Sequence, residues 1–141
     1  MDAYAQYRTQ AVTTASPAQL VAMLYQGALT AITIAEQQLT GEGPADAELV
    51  HRELVRAQQI VTELTLSLDH EQGGQIAANL AALYDFCWDR LVQANLKKDA
   101  SLLPAVRHTL GDLSLTWAEM MQQQGQELDR DGSEQKPNMN P

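Results

Sequence analysis

The best lead to chemistry is the tetrad Glu48-Leu49-Val50-His51. A Glu-x-x-His unit on a helix supplies ligands in di-iron helical bundles. Those sites need two such units and two further inward glutamates. No second unit occurs, and the apolar positions around this one are aliphatic, so the pair reads as a solvated Glu and His on an outer helix face. His70 falls in an expected loop, and His108 is a lone helical histidine. Cys87 is the only cysteine and lies between Phe86 and Trp88. No disulfide can form within the chain, and an inert core thiol is the expectation. There is no phosphate-binding loop, no CxxC pair and no Ser-His-Asp signature. The sequence therefore predicts no catalytic residue, no metal and no cofactor.

Composition narrows the remaining classes. The 141 residues suit one domain with one core. Aromatics are 5% of the chain, so that core must be aliphatic. Nine Lys and Arg against 18 Asp and Glu leave a formal charge of −9. That sign repels nucleic acid and anionic membrane surfaces. The N-terminus has no basic cluster followed by an apolar run, so no signal peptide is read. No stretch is read as reaching the ~20 apolar residues of a membrane span.

Periodicity predicts an all-α chain with an antiparallel up-down-up-down four-helix bundle. Residues 1–15 read as an N-terminal strap whose apolar groups are Tyr4, Tyr7 and Val12. The bundle occupies 16–128. Ser16 and Pro17 form a helix start, and Gly41 and Gly43-Pro44 stop that helix near Leu39. Its inward stripe is Leu20, Leu24, Gly27, Ala31, Ile34 and Gln38, widened by Met23, Ala28 and Ala35. Gly27 is expected where a neighbouring helix approaches closely. A second helix starts near Asp46 and carries Val50, Leu54, Ala57, Val61, Leu64 and Leu68 at spacings of four and three. A third, from about Gln75 to Leu96, carries Ile76, Leu80, Leu83, Cys87, Leu91 and Ala94. A fourth is capped by Asp99 or Ser101 and carries Leu103, Val106, Leu110, Leu113, Trp117 and Met120. It should fade near Gly125. Residues 129–141 read as a disordered acidic tail. Short connections make successive helices antiparallel neighbours.

The third helix has more apolar surface than its core role requires. From Ile76 to Leu96, 15 of 21 residues are apolar, where a bundle helix needs about nine. Beside the core seam runs a second stripe, Ala77, Ala81, Tyr84 and Trp88. Exposed apolar surface of this kind marks an interaction site. Burial under the strap is the plainer alternative.

The same segments resemble a known family. Tyr7, Val12, Thr14-Ala15-Ser16-Pro17, Leu20, Met23-Leu24-Tyr25 and Gly27-Ala28 look like the N-terminal signature of the flagellin-specific export chaperones, the FliS family. Leu68-Asp69, Gly73-Gly74-Gln75-Ile76-Ala77, Asn79-Leu80 and Leu83-Tyr84-Asp85 are similar to its central signature. Ala94-Asn95, Asp99 and Trp117 fit its C-terminal half. The likeness covers about residues 4 to 121. Pro104, Cys87 and Trp88 depart from it.

The resemblance implies a cytoplasmic type III export chaperone that is not an enzyme. It would clasp the disordered C-terminal segment of flagellin one to one, block premature polymerisation and deliver the client to the export gate. Some relatives also take an anti-sigma factor. It implies that the strap, through Tyr7, covers part of the binding surface when flagellin is absent. Tyr7, Ala77, Asn79, Ala81, Leu83, Tyr84 and Trp88 are the expected partner-binding residues, with Leu83 shared with the core seam. The free protein is expected to be a monomer. The competing reading is a homodimerising adaptor bundle that buries the third helix against its own copy.

Overall fold

The structure is a computed structural model and describes residues 15–134, with side chains to residue 126. Residues 1–14 of the expected strap, Tyr7 among them, lie outside the described residues. Four helices and a short 3-10 turn follow in order, with no strand among the described residues: α1 (Pro17–Thr40), α2 (Ala47–Leu66), α3 (His70–Lys97), the 3-10 turn Ala100–Leu102 and α4 (Leu103–Glu134). Each packs on its chain neighbour, and α1 also packs on α4, which closes an up-down-up-down bundle.

Local chemistry explains the starts. The Ser16 hydroxyl accepts from the Gln19 N–H at 3.2 Å, and the Gln19 side chain accepts from the Ser16 N–H at 2.9 Å. This reciprocal box satisfies two of the helix's orphan donors. Asp46 caps α2 through the Leu49 N–H. Asp69 accepts from Glu71 and Gln72, so α3 begins at His70, earlier than its periodicity suggests. Gly74 inside that first stretch has φ 50° and ψ −123°. Only glycine reaches that region cheaply, and the chain there kinks into the main body of α3. Asp99 caps the 3-10 turn by accepting from Ser101 N–H and hydroxyl. Those bonds hold its exposed carboxyl below the usual range. Pro104 falls in the first turn of α4, where its missing N–H costs nothing.

The core is aliphatic and continuous. From α2 it takes Val50, Leu54, Ala57, Ile60, Val61 and Leu64, and from α4 Leu103, Val106 and Leu110. Gly27 sits where a Cβ would lie 3.2 Å from the Ile60 side chain, so it is the point of close approach between α1 and α2. Arg107 bonds Glu36 at 2.7 Å, Gln26 bonds Ser114 at 3.0 Å, and the Trp117 indole N–H donates to Ala18 O at 3.0 Å. All three tie α4 to α1. The α3–α4 junction is the loosest of the four.

Three expectations are corrected. α1 turns Ala28, Ala31 and Ala35 inward as expected, but with Tyr25 and Ile32 beside them in place of Leu20, Ile34 and Gln38. Pro17–Thr40 is long and apolar enough to pass for a membrane span by length and composition; those five side chains are buried in the bundle instead. α4 continues past Gly125 to Glu134, so the helix enters the segment read as a tail. Residues 135–141 lie outside the described residues.

Candidate functional site

Tyr84 does not lie on the outer stripe. It is 2% exposed, and its hydroxyl sits 2.5 Å from that of Tyr25 across the bundle. Burial raises the pKa of both phenols and pushes the Cys87 thiol up to about 11. Ala77, two turns before Tyr84, is 3% exposed. Both residues expected to meet a partner are therefore core. The physical reason is register: with Ala77, Tyr84, Leu91 and Ala94 inward, a helix advancing 100° per residue rotates Ile76 and Leu83 out of the seam. Ile76 is 72% exposed and Leu83 is 40% exposed.

The remaining expected contacts fall on two opposite flanks of α3. Trp88 is exposed and lines a cleft with Thr62, Thr65 and Leu66 of α2 and Asp85 of its own helix. Ala81, seven residues earlier, shares that α2-facing flank and is partly buried. Asn79 and Leu83 lie on the other flank. So do Ile76 and Phe86, at alternating spacings of three and four. Asn79 accepts from the Gln75 side chain at 2.8 Å. The Arg90 guanidinium lies 5.1 Å from the centre of the Phe86 ring, which covers one ring face by a cation–π contact.

This second flank borders the loose junction with α4. There Leu80 and Leu113 are only partly buried, and Met120 is exposed. By helix phase, the exposed Ile76, Leu83 and Phe86 of α3 lie toward α4, where Met120 is exposed and Leu113 partly buried, and this apolar strip makes a trough along the α3–α4 side. Asn79 is the polar group at its rim. The sequence reading missed the exposure of Ile76 and Phe86. The signal was present as the spacing 76, 79, 83, 86, but the first and third of these were assigned to the core seam.

No group of His, Cys, Asp and Glu able to hold a metal ion occurs among the described residues. His51, expected to be simply solvated, has a partner: its Nδ1 lies 3.0 Å from the Asn95 side-chain nitrogen. Lys98, left-handed at φ 49°, donates to the Asn95 backbone and side-chain oxygens. Asn95 is thus the polar clasp that ends α3 against the start of α2.

The described residues form an antiparallel helical bundle with exposed apolar side chains along α3. Residues 1–124 match the family described as flagellar protein FliS, and the chain belongs to that family. It is 35% identical over 130 residues to the flagellar secretion chaperone FliS of Bacillus subtilis, covering 92% of each chain. It is 40% identical over 121 residues to the FliS chaperone of Salmonella typhimurium, covering 84% of this chain and 87% of that one. The Escherichia coli chaperone is 34% identical over 125 residues.

Proposed function

We propose that the chain is a cytoplasmic, non-enzymatic chaperone of flagellar export. It binds the C-terminal segment of flagellin one to one, prevents its premature polymerisation and passes it to the export gate. The observation that carries this reading is the trough between α3 and α4, where Ile76, Leu83 and Phe86 face outward at helical spacing beside a loose junction. An amphipathic segment that folds on contact would lay its apolar face there. Asn79 would fix its register. Leu83 and Asn79 keep the contact role expected from their positions on α3, whereas Ala77 and Tyr84 support the trough from beneath.

Ordering a disordered client costs about 2–5 kcal/mol of the gross interaction energy. Nanomolar binding still requires about −12 kcal/mol net. A few apolar anchors in a desolvated trough are the kind of contact that reaches this. A pull-down with full-length flagellin beside flagellin lacking its C-terminal segment tests the proposal. Retention of the full-length protein alone supports it. Equal retention of both, or of neither, contradicts it.

A further inference from the structure

A second apolar surface lies around the end of α2, between α1 and the Trp88 flank of α3. Leu66, the last residue of α2, is 79% exposed. It stands as a ridge between two clefts. One, of about 530 Å³, is lined by Pro17, Leu20, Val21 and Leu24 of α1 with Glu63 and Ser67. The other, of about 240 Å³, is lined by Thr62, Thr65, Asp85 and Trp88.

Apart from the Trp88 indole N–H, the polar side chains that line this surface present hydrogen-bond acceptors. Thr62 donates its hydroxyl proton to Gln58 O, Thr65 to Val61 O and Ser67 to Leu64 O. Each hydroxyl has one proton, so these three offer outward lone pairs only. Glu63 and Asp85 add carboxylates. No Lys or Arg occurs between Arg8 and Arg52 or between Arg56 and Arg90, the stretches that supply every lining residue. A matching ligand must bring apolar side chains for the clefts and cationic donors for the rim.

We propose that the Leu66 surface docks a basic amphipathic segment of a second protein partner, its apolar side chains straddling Leu66 and its Lys or Arg side chains against Glu63 and Asp85. A second copy of this chain fits poorly, since it would set carboxylate against carboxylate. The chain's own residues 1–14 offer Arg8 as their one basic side chain. Because this surface meets α3 on the flank opposite the α3–α4 trough, both can be filled at once.

The test is an NMR titration of the full-length protein with an 18-residue Leu/Lys amphipathic peptide, beside its Leu/Glu counterpart. The Leu/Lys peptide is expected to shift the amides around Leu66 and the Trp88 indole. Glu63→Lys with Asp85→Lys should weaken it tenfold or more. Glu42→Lys with Glu119→Lys, an equal change of charge at exposed carboxylates elsewhere, should weaken it less than threefold. Leu66→Ser should weaken it without altering the fold. Equal loss in the two charge-reversed proteins would reduce the effect to net charge and overturn the proposal. So would binding of the Leu/Glu peptide, or shifts confined to the α3–α4 trough. A dimer abolished by Leu66→Ser would assign the face to a second copy. Shifts around Leu66 on deleting residues 1–14 alone would assign it to the chain's own start. Either result also overturns the proposal.

Discussion

The hydroxyls of Tyr25 on α1 and Tyr84 on α3 meet at 2.5 Å across the bundle, both side chains almost fully buried. This pair ties together two helices that are not neighbours around the bundle. It also fixes the rotation of α3, and with it which residues of that helix reach the surface.

Removing one hydroxyl strands the other. Tyr84→Phe and Tyr25→Phe should each cost about 1–3 kcal/mol of stability, because a buried donor or acceptor loses its partner. The double variant should cost less than the sum of the two, since no unpaired hydroxyl remains. Urea denaturation of the four proteins gives the coupling. Tyr84→Ala adds a cavity and should cost about 3–5 kcal/mol.

The same core sets the alkaline limit. Burial raises the pKa of Tyr25, Tyr84 and Cys87 above their unfolded values. The native state therefore holds these protons when the unfolded chain has released them, and stability must fall as pH rises. For Cys87 the window runs from its unfolded value near 9 to about 11. Thermal melts from pH 8 to 11 should show a falling Tm. Cys87→Ala should reduce the slope across that window.

Two glycines should respond with opposite signs. Gly74 holds φ 50° and ψ −123°, so Gly74→Ala should cost about 1–3 kcal/mol from backbone strain. Gly111 lies inside α4, and a Cβ there meets nothing within 4 Å. Gly111→Ala should add about 0.5–1 kcal/mol, the helix-propensity difference. Chemical denaturation of both variants checks the pair.

The contrast between α2 and α3 shows how far the sequence could be read. In α2 the buried residues Val50, Leu54, Ala57, Val61 and Leu64 alternate with Arg, Gln and Glu, so one register satisfies the pattern. In α3 so many residues are apolar that Leu83 and Tyr84 compete for the same inward place. They are separated by 100° of rotation, and the deciding factor is a hydroxyl on α1 that lies 59 residues away. Periodicity along one helix cannot contain that information. The same excess of apolar residues hid the inward places of Tyr25 and Ile32 on α1. Leu66 was missed because the α2 seam was carried on to Leu68, whereas the helix ends at Leu66 itself. The bundle was legible from local pattern. The faces it leaves uncovered depend on how the helices rotate against one another.

The central claim is that flagellin's C-terminal segment occupies the α3–α4 trough, and calorimetric titration of that segment into Leu83→Ala tests it most directly. Leu83 is half-exposed, so its truncation should cost less than about 1 kcal/mol of folding stability. It should weaken client binding by about 1–4 kcal/mol, as expected of an anchor. The wild-type reaction should also show a strongly negative heat capacity change. Unchanged affinity in Leu83→Ala, with loss of binding in Trp88→Ala instead, would place the client on the other flank of α3 and contradict the account.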